Sequence, residues 1–401
     1  MPDRILTSHA GSLPRPEDLI ALNERRAAGE FTDEAEYLSR LRTAVADVVA
    51  RQRETGIDLA NDGEFGHSMG QRYDYGSWWT YVFQRLANVE LTDRTIAEIA
   101  QPEAKAGEIR LASFGERRDW QAFLDAYLDP TAGVGLPNRA SIAPVCRGPI
   151  TYQGLADVRR DIADMKAAMA AAGVADGFLN AVAPGSCARF GNEYYADDEE
   201  MLWACADAMR EEYVAIVEAG LVLQLDDPAI AENWDQVNPA PSVEAYRRFT
   251  RKRIEALNYA IRDLPAERIR FHLCWGSWHG PHTTDFPMRD LVDIMLEINA
   301  GAYSFEAANV RHEHEWKVWR DVKLPEGKVI LPGVVSHSTN VIEHPEVVAD
   351  RIMRFAEAVG RENVVASTDC GLGGRVHPQI AWAKLDTLAK GAELATRQLW
   401  G

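Results

Sequence analysis

The chain has 401 residues, 46% hydrophobic and 26% charged, the composition of an ordinary globular protein with enough apolar material for a large core. Its 43 Lys+Arg against 61 Asp+Glu give a formal charge of -18, which repels phosphate backbones and anionic lipid, so neither nucleic acid nor a membrane is expected as a partner. No run of apolar residues is long enough to cross a bilayer, and Met1-Pro2-Asp3-Arg4 does not open a signal peptide. A cytoplasmic protein is expected. Its five cysteines, Cys146, Cys187, Cys205, Cys274 and Cys370, are too few and too scattered for a disulfide framework.

Short apolar runs alternate with longer helical patterns. In chain order the candidate strands are 4–8, 57–62, 141–146, 177–183, 221–226, 269–274, 302–306, 329–335 and 363–367. Between most of them lie amphipathic stretches. In Asp198–Ala219, residues Leu202, Cys205, Met209 and Ile216 share a stripe; in Pro345–Val359, so do Val348, Ile352, Phe355 and Val359. Repeated βα units predict a parallel sheet closed into a (β/α)8 TIM barrel, a single catalytic domain over residues 1–401. Nine candidates for eight places leave one strand outside the barrel. Residues 66–140, with Trp78, Trp79, Tyr81 and Phe83, read as a helical and aromatic insertion after the second strand, and in a barrel such an insertion sits on the catalytic face.

The chemically versatile residues gather where strands end. Strand periodicity puts His272 and Cys274 on one face; Glu306 ends the next apolar run, and Cys370 follows the last. One imidazole, two thiolates and one carboxylate make a tetrahedral Zn²⁺ set, and such an ion would present a substrate thiol as thiolate. The pair His-x-Cys by itself is also what a packed core shows, as is a lone cysteine. A buried carboxylate such as Glu306 is harder to place without a partner.

The segments His9-Ala10-Gly11-Ser12, Asp62-Gly63-Glu64-Phe65, Leu225-Asp226-Asp227-Pro228-Ala229, His272-Leu273-Cys274, Phe305-Glu306, Gly333-Val334 with His337, and Asp369-Cys370-Gly371 occur in the order found in cobalamin-independent methionine synthases. From Thr7 to about Leu385 the chain resembles the catalytic C-terminal barrel of that family. The wider group also holds uroporphyrinogen decarboxylase and the zinc-dependent coenzyme M methyltransferases and epoxyalkane transferases. The resemblance implies zinc bound by His272, Cys274, Glu306 and Cys370, and homocysteine held by Gly11, Ser12, Glu64 and Asp226. It implies His337 as a proton-transfer residue near the alkyl donor, with Phe190 where the family has a tryptophan facing the donor. The second barrel of the long family members, which helps hold a polyglutamate tail, has no counterpart in the resemblance.

The expected activity is zinc-dependent transfer of an alkyl group, methyl in the first place, to a small thiol in methionine biosynthesis. The alternative thiol is coenzyme M, opening an epoxide, with Arg311 or its neighbours His312 and His314 taking the sulfonate. Those three could equally brace Glu306, and His279 and His282 pose the same choice. A metal-free decarboxylase of the uroporphyrinogen type has no use for the His/Cys/Glu/Cys set. A purely structural zinc site would use clustered Cys pairs.

Overall fold

The computed structural model describes residues 3–30, 33–67, 77–92, 109–112, 114–134 and 144–401. Eight strands form the barrel: β1 (Leu6–Thr7), β2 (Leu59–Asn61), β3 (Asp176–Val182), β4 (Val222–Asp226), β5 (Ile269–Leu273), β6 (Ala302–Phe305), β7 (Val329–Val335) and β8 (Val365–Thr368). From β2 to β8 each lies parallel to its neighbour in sequence order, and β8 pairs in parallel with β1. The seam between β1 and β2 is bridged by the Asp58 N–H donating to the Thr7 carbonyl at 3.1 Å and the Ser8 hydroxyl donating to the Leu59 carbonyl at 3.3 Å. The fold is a (β/α)8 TIM barrel.

The strand left over is 141–146. Its described part, Pro144–Cys146, runs antiparallel to Val89–Leu91 and parallel to Gly191–Asn192, a small separate sheet. An apolar run of that length has the same character inside or outside a barrel, and only its pairing partner distinguishes the two.

Long helices cover most of the barrel. Glu34–Thr55 precedes β2, Leu155–Ala172 precedes β3, Asp198–Glu218 precedes β4, Val243–Ala260 precedes β5, Pro345–Val359 precedes β8, and Pro378–Trp400 closes the chain. Asp198–Glu218 begins where the Asp197 carboxylate accepts the Glu200 N–H at 2.9 Å, with three acidic residues in its first turn facing the helix N-terminus. The connections after β5 and β6 are different. Each carries only a four-residue helix or 3₁₀ turns, so irregular backbone fills the space above these two strands.

Alternation along the strands divides the side chains. Leu223, Leu225, Phe271, Leu273, Tyr303 and Phe305 are buried in the apolar core. The alternate positions carry Asn180, Gln224, Asp226, Arg270, His272 and Ser304, all buried as well. A barrel interior lined with polar side chains is stable only if they pair with one another, and they do, as described below.

The segment after β2 is tied to the helical shell. Glu212, fully buried on Asp198–Glu218, accepts hydrogen bonds from the Tyr81 hydroxyl at 3.0 Å and from the Tyr152 hydroxyl, and pairs with Arg85 at 3.3 Å; Arg85 also pairs with Asp161 on Leu155–Ala172. Residues 114–134 lie over the loops after β4 and β5. Arg117 pairs with Glu232; Asp119 accepts the Thr283 N–H at 2.8 Å and the His282 N–H at 3.2 Å; the Trp278 indole donates to the Tyr127 hydroxyl at 2.9 Å. Substituting Glu212→Ala strips two phenols and a guanidinium of a buried partner and is expected to lower stability by about 3–5 kcal/mol in urea unfolding. A loss below about 1 kcal/mol would mean that this network does not anchor the segment.

Candidate active site

The His272 ring is buried next to the end of β5, and its Nδ1 lies 2.9 Å from the Ser304 hydroxyl, the residue paired with it across β6. Its Nε2 is buried with no hydrogen-bond partner. One residue past the end of β5, the Cys274 thiol lies 3.7 Å from the sulfur of Cys370, two residues past the end of β8. The ligand atoms of His272, Cys274 and Cys370 all lie within 4.8 Å of one another. The Cys274 thiol donating to it and the adjacent His272 imidazole pull the Cys370 thiol well below the usual range. Although burial works against its charge, the Cys370 sulfur holds His272 above an ordinary histidine.

Glu306 follows β6 directly. Its Oε1 accepts the Trp275 N–H at 2.8 Å and its Oε2 accepts the Asn309 side-chain N–H at 2.7 Å, and burial pushes it up to about 8. An imidazole nitrogen held ready by a hydroxyl on its other nitrogen and two sulfurs are three donors a zinc ion fits, while Glu306 is grouped with His337 and Asp369. Two bonds of about 2.3 Å at the tetrahedral angle hold sulfurs about 3.8 Å apart, and the observed separation is 3.7 Å.

The second half of the site comes from the first two loops and β4. Asp226 is the register neighbour of His272. Its two oxygens accept from the Asn180 amide at 2.8 Å and the Gln224 amide at 2.7 Å, and the Asn61 amide donates to Asn180 at 2.9 Å. Burial pushes Asp226 up to about 6. Glu64 is pushed well above the carboxylate range, first by burial and then by the charges of Asp226 and Asp62, and its Oε2 is buried without a hydrogen-bond partner, 3.9 Å from His67 Nδ1. Its backbone is in the left-handed region, φ 60°, unusual for a residue with a side chain. Arg15 holds that turn by donating to the Glu64 carbonyl at 2.6 Å and the His67 carbonyl at 2.9 Å. Gly11 closes the pocket: at φ 123°, a Cβ there would lie 2.3 Å from Asn180 Nδ2 and 2.4 Å from Glu64 Oε1. The Ser12 carbonyl accepts the Leu372 and Gly373 N–H groups, and its hydroxyl lies against Gly371. The first loop is thereby bound to the loop of Cys370.

Arg270, two residues before His272, underlies both halves. Its guanidinium donates to the Ser8 hydroxyl at 2.8 Å and to the His9 carbonyl, and sits over the Phe178 ring. His337 is buried with Nδ1 unpartnered, close to Glu306 and Asp369; burial lowers it to about 3, so the imidazole is neutral.

Other expected residues lie elsewhere. Phe190 is buried in the main apolar core, edge-on to Phe83. Arg311 is exposed and donates to the Thr283 carbonyl at 2.7 Å. His312 stacks on Trp275 with 4.0 Å between ring centroids, and its nitrogens lie 2.8 Å from Glu315 and 3.0 Å from Asp285. Through Trp275 it supports the backbone N–H that holds Glu306. His282 meets the same Asp285 and the Trp278 carbonyl, while His314 is exposed. His279 Nε2 lies 3.3 Å from the His337 carbonyl. Asn180, Gln224, Arg270 and Ser304 were not singled out from the sequence. Each stands two residues from another inward polar position or breaks an apolar run, a signal that period-two reading of the strands contains.

These features define a (β/α)8 barrel with a thiolate–imidazole centre at the C-terminal ends of its strands, opposite a pair of buried carboxylates. The sequence model described as the cobalamin-independent synthase, catalytic domain, matches residues 139–393, and the chain belongs to that family. A methionine synthase of Thermococcus kodakarensis is 24% identical over 399 residues, covering 98% of this chain and 94% of its own. One from Saccharolobus solfataricus is 25% identical over 211 residues, 52% of this chain and 54% of its own. Among solved structures, a B12-independent methionine synthase from a Shewanella species, in complex with selenomethionine, superposes with a TM-score of 0.67 at 20% identity over 99% of both chains, a likeness of fold.

Burial and the neighbouring Asp161 push Asp62 up to about 7, against an ordinary 3.8. Its folded form therefore holds a proton that the unfolded chain releases. The stability contributed is full below about pH 4 and is lost as pH rises through 7. In Asp62→Asn, whose side-chain oxygen can still accept the Glu64 N–H, stability between pH 4 and 7.5 should fall less steeply than in the wild type. Parallel unfolding curves for the two proteins across that window would refute the shift.

Proposed function

We propose that this protein is a zinc-dependent methyltransferase acting on the sulfur of homocysteine and so forming methionine. One juxtaposition carries the reading: an unpartnered imidazole nitrogen and two cysteine sulfurs 3.7 Å apart, opposite the buried carboxylates of Glu64 and Asp226. His272, Cys274 and Cys370 would hold the ion, with Glu306 as an exchangeable fourth ligand. When bound, zinc lowers the pKa of a substrate thiol, so that a thiolate is available at neutral pH.

The chain's own residues supply the rest. Glu64 and Asp226 crowd two acidic groups into a desolvated pocket, and each raises the cost of ionising the other. A bound ammonium reverses that cost, which makes the pocket suited to the amino group of an amino acid. Asn180 and Gln224 fix Asp226 in place, and the strained turn at Glu64 is locked by Arg15. The first loop, Gly11-Ser12, lies beside this pocket and would take the carboxylate end. His337, neutral and with Nδ1 open, would be the proton-transfer residue that the family resemblance implies. The relatives, named methionine synthases, support methionine as the product. Coenzyme M fits the pocket poorly, because its sulfonate would meet two carboxylates and Arg311 is engaged with Thr283. The sequence favours a cytoplasmic location, and no helix among the described residues is long and apolar enough to cross a membrane.

About one zinc per chain is expected by metal analysis. Cys370→Ser and Cys274→Ser replace a soft thiolate by a hard hydroxyl, and zinc content should fall sharply in each; full occupancy in either removes the assignment. The stripped protein should keep its far-ultraviolet circular dichroism, since the ligands stand on a barrel with its own core.

Glu64→Gln and Asp226→Asn leave the ammonium poorly paired, at a cost of about 2–5 kcal/mol. The KM for homocysteine should rise tenfold or more with bound zinc unchanged. An unaltered KM, or improved use of coenzyme M, would end the homocysteine reading while leaving thiol alkylation standing.

A further inference from the structure

Asp369 immediately precedes Cys370 and is fully buried. Its Oδ1 accepts the backbone N–H groups of Ala307 and Ala308, each at 2.7 Å, and its Oδ2 accepts that of Asn309 at 2.8 Å. These are the three residues that follow Glu306. From there Asn309 turns back: its Nδ2 donates to Glu306 Oε2 at 2.7 Å, while its Oδ1 accepts the N–H groups of Arg311 and His312, each at 3.0 Å. A continuous path of hydrogen bonds therefore runs from the residue beside Cys370 to the carboxylate of Glu306.

The path crosses a strand. β7 lies between β6 and β8 in the sheet, so Asp369 must reach over it. Gly333 makes the crossing possible, because a Cβ there would lie 2.1 Å from Asp369 Oδ1 and 2.6 Å from its Cα. The Asp369 N–H in turn donates to the Val335 carbonyl at 3.0 Å. The side chain is thus fixed from both ends. Asp369, Glu306 and His337 lie close enough together to resemble a second metal site, but the lone pairs of Asp369 are turned to three amides. An ionised carboxylate is an acceptor only and bonds strongly to N–H groups; an asparagine would turn an N–H₂ toward one of those donors.

We propose that Asp369 is a positioning residue for the metal centre: it clamps the loop of Glu306 to the loop of Cys370 and so sets the distance between a carboxylate and a thiolate ligand. The proposal rests on the zinc reading above. Zinc release to a coloured chelator and the absorption spectrum of the cobalt(II)-substituted protein test it, with neither thiol nor methyl donor present. Asp369→Asn should release zinc at least tenfold faster, in the range of about 10–100-fold that outer partners of metal ligands contribute, and should shift the cobalt ligand-field bands. A side chain that served only the fold would lower the melting temperature and leave both readouts as in the wild type. Gly333→Ala, which pushes on the same carboxylate while keeping its charge, should reproduce the faster release, and it carries the test if Asp369→Asn does not fold. Wild-type protein that takes up no zinc would overturn the functional reading and the clamp with it. Wild-type protein that holds zinc, beside a folded variant with unchanged release and spectrum, would overturn the clamp alone.

Discussion

The interior of this barrel is polar, and the site at its mouth depends on the hydrogen bonds by which those side chains hold one another. Asn61 donates to Asn180, Asn180 to Asp226, and Gln224 to the other oxygen of the same carboxylate; Arg270 holds Ser8 and His9, and Ser304 holds His272. An unpaired polar group in such a place would cost more than most single contacts contribute. The pairing does more than remove that cost. It gives Asp226 and His272, neighbours across two strands, fixed positions before any ligand arrives, which is the condition for a site that spends little binding energy on its own ordering.

A rigid floor is combined with irregular loops where chemistry needs them. The two strands that bear His272 and Glu306 are followed by loops without long helices, and those loops supply backbone N–H groups and aromatic rings to the site. Trp275 presents its amide to Glu306 while its ring rests on His312, and His312 is held by Glu315 and Asp285. His312, a candidate for binding an anion from the sequence, is in this way occupied with bracing. At the turn of Glu64 a left-handed backbone aims a carboxylate into the pocket, and Arg15 holds the turn.

Much of the site was visible as sequence. Period-two alternation placed His272 with Cys274, the ends of apolar runs marked Glu306 and Cys370, and the order of the motifs pointed to the family that the chain belongs to. The same alternation also contained Asn180, Gln224, Arg270 and Ser304, but a polar residue inside an apolar run has no meaning until its partner across the sheet is known. The excess strand at 141–146 failed to declare itself for a related reason: its composition is that of a barrel strand, and its separation from the barrel is a fact about Val89–Leu91 and Gly191–Asn192.

By itself, then, the sequence determined the alternation of strands and helices and the kinds of donor atom at strand ends, because both follow from local periodicity and side-chain chemistry. Only the tertiary structure decided which of those atoms meet. Cys274 and Cys370 are brought to 3.7 Å across two intervening strands, Gly11 touches Glu64 and Asn180, and Asp369 reaches the loop of Glu306 past Gly333. Distances of this kind are set by closure of the barrel and by the register between strands, which bring together residues far apart along the chain.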